Sequence, residues 1–247
     1  MNEIINSLWK DSHSKGKNVS KQYLEVLKVL ARSSFGCIYI VDLKKEKIEF
    51  ISQNPYLFSG LKSVEVEKLG YNFYRQYTKT EDLEILRKVN TSGFKFFECL
   101  PAEEKTSHTI TYDFHIKNTN NIDVLINHKL TPIELCEEGN ISKIVCVVSY
   151  SLKRTAGNIR IVSETSDVLW HYNLSTGKWQ EEFKVSLKPR EREIIRLYLR
   201  GLTIEEIAEE LFVSASTVKF HRSKLFEKIG VNNITEAISY VVENKLI

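Results

Sequence analysis

Apolar positions recur at helical spacing from Val19 through Tyr23, Val26, Leu27 and Leu30, after a polar opening that contains Gly16. Ser20 stands near the start of this short amphipathic helix, which is expected to pack against the segment C-terminal to it. From Phe35 the period changes. Phe35–Leu43 and Ile48–Ile51 are rich in β-branched and aromatic residues and are separated by the polar run Lys44–Lys47, the pattern of two strands and a turn. Asn54-Pro55 stops the second strand. Thr80-Glu81-Asp82 opens a helical stretch to about Val89, with acids at its N-terminus. Thr109–Ile116 then alternates apolar and polar, Asn118–Asn121 turns, Ile122–Asn127 resumes, and Ile144–Val148 reads as a buried strand. Strands at hairpin spacing predict an antiparallel sheet. Further on, Gly157-Asn158 marks a bend. Leu169–Tyr172 and Lys178-Trp179 flank Asn173–Gly177 as a hairpin that either extends the sheet or braces a linker.

The period returns to helical near the C-terminus. Pro189 suits a first helical position, Glu191 and Glu193 follow in the first turn, and Gly201 ends the helix. Thr203 with Glu206 is a capping box, and Ile204, Ile207, Ala208 and Leu211 form the buried stripe behind it. Phe212–Ser214 is a tight turn. Ser214 caps the next helix, which runs from 215 to about Ile229 and is stopped by Gly230. Asn233 with Glu236 opens a last helix with Ile234, Ala237, Ile238 and Val241 inward. A short helix, a tight turn and a second helix form a DNA-reading unit.

The segments Lys188–Glu193, Gly201–Thr203, Glu206–Ala208, Val213-Ser214, Thr217–His221 and Lys228–Val231 resemble, in order and spacing, the helix-turn-helix domains of the LuxR/GerE-type regulators. The resemblance covers Leu187 to Val242. Two positions depart from it. Lys188 stands where the family favours a Ser or Thr cap, which is expected to fray that helix end. Ile204 replaces a polar residue, which removes a backbone contact to phosphate. The strand, strand, short helices, three strands order over Ser33–Leu152, with its Tyr39–Asp42 opening, resembles a PAS sensor domain.

Helical geometry sorts the residues of the recognition helix, because positions advance by about 100° each. Val218, His221, Leu225 and Ile229 fall on one face and are expected to pack inward. Ser216, Lys219, Phe220 and Ser223 fall opposite and are expected in the major groove, with Thr217 near a phosphate or in the cap, and Arg222 and Lys224 toward the phosphate walls. Lys219 can donate to guanine O6 or N7 and Phe220 can meet a thymine methyl. In residues 216–229 the bases Lys219, Arg222, Lys224 and Lys228 stand against Glu227 alone, a local excess that the chain's net charge of +3 hides. A helical core domain with a solvated basic face is the plainer alternative, and the capped four-helix pattern argues against it.

For the sensor half, Tyr39, Phe50, Tyr56, Phe73, Tyr74, Phe114 and Trp170 either line a pocket between sheet and helices or simply fill the core. His108, His115 and His128 are haem or metal ligands by residue type only, and packing histidines otherwise. Cys37, Cys99, Cys136 and Cys146 have no metal-ligand spacing and read as ordinary thiols. Asp42 ends an apolar strand as a phosphoacceptor would, but no acidic pair precedes it and a strand follows it. There is no phosphate loop, nucleophile elbow or HExxH, which argues against an enzyme. A sigma-factor-like polymerase subunit is disfavoured by the β-rich N-terminal half. The opening residues carry Glu3 and no apolar signal core, and Ile144–Val148 is too short to span a bilayer, so a soluble cytoplasmic protein is expected.

The expected protein is therefore α+β. Residues 1–32 hold the amphipathic helix, 33–152 an antiparallel-sheet PAS-like sensor with flanking helices, 153–185 a hairpin or linker, and 186–247 an all-α, four-helix, helix-turn-helix domain. The resemblance implies a sequence-specific transcriptional regulator. Its partners would be double-stranded DNA, a second copy of the chain through the last helix, RNA polymerase, and a small-molecule or protein signal at the sensor, with no membrane. The cofactor, if any, is not named by the sequence.

Overall fold

The computed structural model describes residues 22–34, 36–53 and 57–247. The expectations placed on Val19, Ser20, Phe35, Asn54-Pro55, Tyr56 and the polar opening lie outside them. The chain divides into two compact units, one up to Glu182 and one from Phe183 to Ile247.

In the first unit α1 (Gln22–Ser33) precedes β1 (Cys37–Asp42) and β2 (Lys47–Ile51). A helical segment comes next, made of α2 (Ser63–Leu69), α3 (Asn72–Tyr77), a 3-10 turn (Thr80–Asp82), α4 (Leu83–Lys88), a π-helical turn (Val89–Gly93), α5 (Phe94–Cys99) and α6 (Ala102–Lys105). Then come β3 (His108–Lys117), β4 (Asp123–Leu135), β5 (Ile141–Tyr150), β6 (Gly157–Ser163), β7 (Val168–Asn173) and β8 (Lys178–Phe183). They form one eight-stranded sheet in the order β2-β1-β5-β4-β3-β6-β7-β8. The strand, strand, helices, three strands order of a PAS-like domain is the one observed, with an antiparallel sheet and flanking helices.

Alternation makes the sheet's inner face. In β5 Ser142, Ile144, Cys146 and Val148 are buried while their neighbours are half-exposed, and in β3 Ile110, Tyr112, Phe114 and Ile116 point the same way. Val66, Phe73, Tyr74, Ile85, Leu86, Val89 and Phe97 of the helical segment close over this face as one core. On another part of the sheet Tyr23 of α1 lies under the Lys143 ammonium, 5.8 Å from nitrogen to ring centre.

Several elements exceed the sequence reading. The helical stretch predicted to about Val89 runs on to Cys99, because Gly93 lets the π-helical turn close on β3: a Cβ there would sit 2.5 Å from Ile110 Cδ1. β4 extends through Pro132 to Leu135, where register shifts accommodate the missing N–H. The bend at Gly157-Asn158 is present as two left-handed residues, φ +101° and +47°, but it opens β6, which pairs with β3. The hairpin of residues 168–183 is thereby part of the sheet and not a free linker.

Asp82 fastens the helical layer to the sheet. Its carboxylate is buried and accepts from both the backbone N–H and Nδ1 of His115, each at 2.7 Å. Asp82→Ala is expected to cost about 1–3 kcal/mol, since it strands a backbone donor. His115→Ala keeps that backbone bond and should cost less. Urea denaturation of the two variants measures the order, and equal losses would show that the backbone contact is not what holds the layers.

Candidate nucleic-acid interface and N-terminal interior

The C-terminal unit contains α7 (Pro189–Leu199), α8 (Ile204–Glu210), α9 (Ala215–Ile229) and α10 (Ile234–Glu243). Each start has a local cause. Thr203 accepts from Glu206 N–H at 3.3 Å while Glu206 accepts from Thr203 N–H at 2.8 Å. Ser214 accepts from Thr217 N–H at 3.1 Å, and Asn233 from Glu236 N–H at 2.9 Å. Gly230 ends α9 at φ +68°, a left-handed cap that glycine takes without a Cβ clash. The turn between α8 and α9 is tighter in residue choice: Phe212 sits at φ +52° and is 96% exposed.

Two separate clusters hold α9. Val218 packs with Ile194, Leu197, Ile207 and Ala208, whereas Leu225 and Ile229 pack with Leu187, Ile195, Ala237 and Val241. His221, expected inward with them, is only half-buried, with its ring against Phe220 at 5.6 Å between centres. Ser216, Lys219, Phe220, Ser223 and Lys224 are exposed, while Thr217 and Arg222 are half-buried. The Ser216 and Thr217 hydroxyls lie 2.7 and 2.9 Å from Ser214 Oγ, so the helix cap already orients both. The Arg222 guanidinium lies over the Phe226 ring at 5.7 Å, and its Nε is buried without a partner among the described residues.

The basic residues of α9 divide by what they touch. Lys228 bonds to Glu191 of α7 at 3.1 Å, and Lys224 pairs with Glu227 at 2.9 Å. The sequence reading missed the Lys228–Glu191 pair, because nothing in linear spacing joins residues so far apart. Glu191 is also the answer to the unusual cap. A lysine ammonium has no lone pair to accept with, but the buried Glu191 carboxylate accepts from Lys188 N–H at 2.8 Å. The expected fraying is countered at that donor. Ile204, half-buried, packs against the cluster around Val218. In α10 Val241 is fully buried, Ile238 half-buried and Val242 exposed.

A family model described as bacterial regulatory proteins of the luxR family, GerE, matches residues 185–241. The C-terminal domain is a luxR-family helix-turn-helix domain. A curated relative, the oxygen regulatory protein NreC of Staphylococcus aureus (strain bovine RF122 / ET3-1), is 37% identical over 75 residues, 30% of this chain and 34% of its own. The chain thus matches about a third of the length of such relatives. Among solved structures, the phage VqmA–DPO complex overlaps with a TM-score of 0.31 at 15% identity, covering 92% of this chain and 89% of that one. The Vibrio cholerae VqmA dimer gives 0.29 at 17%, covering 92% and 89%. A domain of a light and redox sensing histidine kinase from Haloarcula marismortui gives 0.37 at 10%, covering 51% and 97%. At these scores the overlaps are too loose to bear on fold or function.

In the N-terminal unit the candidate residues separate. Tyr39, Phe73, Tyr74 and Phe114 are buried together, with edge contacts such as Phe73–Tyr74 at 5.1 Å and Tyr74–Phe114 at 5.7 Å. Phe50 is half-buried and outside that core, and Trp170 is partly buried against it, with its ring beside Phe96 and His108. His108 Nδ1 is 2.7 Å from the Glu104 carbonyl oxygen, and His115 is held by Asp82. His128 is enclosed by tyrosines: Nε2 is 2.7 Å from the Tyr39 hydroxyl, and Nδ1 bonds to the Tyr112 hydroxyl. The described residues hold no group of three or more metal-ligating side chains. Tyr112 belongs to the same buried cluster and was not singled out from the sequence, although its alternation with Ile110 and Phe114 marked it as inward. Cys37, Cys136 and Cys146 are buried and Cys99 is exposed. Burial pushes the Cys37 thiol up to about 12 and raises Cys146 further.

Two buried groups make stability depend on pH. Burial pushes the Glu191 carboxyl upward, but the Lys188 N–H and the Lys228 ammonium outweigh it and hold it below its ordinary 4.5. The stability it contributes is present above that value and lost as pH falls through the lower folded value. Glu191→Gln should therefore be less stable than wild type at neutral pH, with the gap closing in acid during urea titrations. Burial pushes His128 down to about 3 from an ordinary 6.5. The unfolded chain then binds the extra proton between those values, so His128 destabilises the fold as pH drops below 6.5. The pH-stability curve of His128→Gln should be flatter than wild type over that interval, and parallel curves would contradict a neutral buried imidazole.

Proposed function

We propose that the chain is a sequence-specific transcriptional regulator that reads the major groove with α9 under control of a signal received by its PAS-like unit. The observation that carries the reading is the exposed face of a helix anchored at both ends: Ser216, Lys219, Phe220 and Ser223 point away from the Val218 and Leu225 rows. An α-helix on that mounting fits the major groove, and Lys219 supplies a donor for guanine. Thr217, Arg222 and Lys224 flank the face, where phosphates of the groove walls would lie. Arg222, already oriented on Phe226, has a buried Nε to satisfy.

The exposed residues of α10 around Val242 are the proposed dimer surface, and a two-fold dimer implies half-sites spaced by one DNA turn or a multiple of it. The regulator reading places the protein in the cytoplasm with DNA, and RNA polymerase is a further partner. The described residues contain no helix long and apolar enough to cross a membrane. An enzymatic role has no supporting constellation in the luxR-family domain.

Selection from random and genomic DNA with the full chain tests the reading. The expected result is an enriched two-fold site whose affinity falls steeply with salt. Absence of any enriched site, with and without cell extract as a source of signal, would overturn it. Lys219→Ala should weaken specific binding by about 1–3 kcal/mol and relax preference at one base position. Lys224→Ala should weaken all sequences evenly and lower the salt slope. Identical behaviour of the two variants would undo the assignment of faces.

A further inference from the structure

In the C-terminal unit three features go against local rules, and all three meet at one place. The first is the backbone of Phe212. The chain puts glycine at the left-handed positions that follow α7 and α9, Gly201 at φ +88° and Gly230 at φ +68°. After α8 it puts phenylalanine, at φ +52°. A residue with a Cβ is strained there, whereas glycine is not. The second is the ring itself, which is 96% exposed, so burial contributes almost nothing to offset that strain. The third is the charge of α8. Glu205 with Glu209, and Glu206 with Glu210, are like charges four residues apart on a helix of 7 residues, an arrangement that weakens it. Glu206 bonds to its own cap residue Thr203, and Glu210 meets Arg200 at 3.5 Å in an exposed pair of the weak kind.

These features surround an open cleft of about 680 Å³, lined by Arg200, Leu202, Glu206, Glu209, Glu210 and Phe212. Leu202 and Phe212 are its apolar lining, and three carboxylates stand against one guanidinium in its polar lining. No residue of α9 lines it. The turn that carries the ring is well held. Phe212 N–H donates to the Glu209 carbonyl oxygen at 3.1 Å, Val213 N–H to that of Ala208 at 2.9 Å, and the Arg190 guanidinium to that of Leu211 at 3.2 Å. An aromatic side chain on a fixed mount gives up little backbone freedom when something binds to it.

The charge of the cleft selects its occupant. An excess of carboxylate repels phosphate, so a nucleic acid strand does not fit, and it attracts a cationic partner. Exposed aromatic side chains are typical anchors of protein interfaces. A guanidinium can lie on the Phe212 ring and bond to a glutamate beside it, while a neighbouring apolar side chain meets Leu202. Chains break local rules at functional sites and keep them elsewhere. Here the caps at Thr203, Ser214 and Asn233 are kept, and the departures gather at the cleft.

We propose that this cleft docks a short segment of another protein, one in which apolar side chains are interleaved with arginines or lysines. Phe212 is the apolar anchor, and the carboxylates of α8 set the preference for positive charge. This docking does not depend on α9 reading DNA. Its failure leaves the DNA selection untouched, and failure of that selection leaves the docking result standing.

The test titrates the full chain into a fluorescein-labelled peptide of sequence Arg-Leu-Arg-Arg-Leu-Arg and follows anisotropy at two salt concentrations. Two control peptides replace its leucines by serine or its arginines by glutamine. The parent peptide should bind saturably, more tightly at low salt, and each control should bind about tenfold more weakly or worse. Phe212→Gly should lose about tenfold in affinity while its Tm is no lower than that of wild type, because glycine relieves the left-handed strain. Glu209→Gln, which leaves both partners of the Thr203 cap in place, should weaken the parent peptide several-fold and flatten its salt dependence. Absence of saturable binding, a control peptide that binds as tightly as the parent, or unchanged affinity in either variant overturns the docking. A fall in Tm accompanying the loss of binding in Phe212→Gly also overturns it, since the ring would then be serving the fold.

Discussion

Helix α9 can present one face because its other face is fixed at two points. Val218 and Leu225 are seven residues apart, two helical turns, and so share a face, yet they enter different clusters. A single cluster would leave one end of α9 free to swing. Two of them fix both its rotation and its tilt. The ion pair between Lys228 and the buried Glu191 adds a third tie near the C-terminal end of α9. The outward direction of Ser216, Lys219, Phe220 and Ser223 is a consequence of these contacts and not of any property of those residues themselves.

The same tie changes the electrostatic picture. The four bases of α9 look equivalent in composition, but Lys228 is committed to α7 and Lys224 to Glu227, an exposed pair of the weak kind. Lys219 is exposed, and Arg222 is braced on an aromatic ring with its Nε buried. If α9 reads DNA as proposed, a rim of unequal bases would let positioning and base reading fall to different side chains.

In the N-terminal unit the governing constraint is register. A sheet displaces every side chain to the opposite face if pairing slips by one residue. With the observed register Tyr112, His128 and Tyr39 meet inside, and Asp82 secures the helical layer above them through a backbone bond to β3. Polar groups in such a core are tolerated because they bond to each other, which gives the interior a direction of hydrogen bonding that an all-aliphatic core lacks.

Local chemistry made much of this protein readable in one dimension. Caps at Thr203, Ser214 and Asn233, the stop at Gly230, and the stripe of Val218, Leu225 and Ile229 are interactions within a few residues, so order and spacing carry them. The alternation of β3 and β5 is equally local. What the tertiary structure decided was everything set by distant partners. Pro132 does not end β4, because the sheet on either side supplies enough hydrogen bonds to absorb one missing donor. Gly157 opens a strand instead of a linker, because β3 had a free edge for it. Tyr112 and His128 are partners only through register, and Lys228 lost its freedom to a glutamate on another helix. Spacing along a chain encodes faces, but which face meets which is fixed only when the pieces pack.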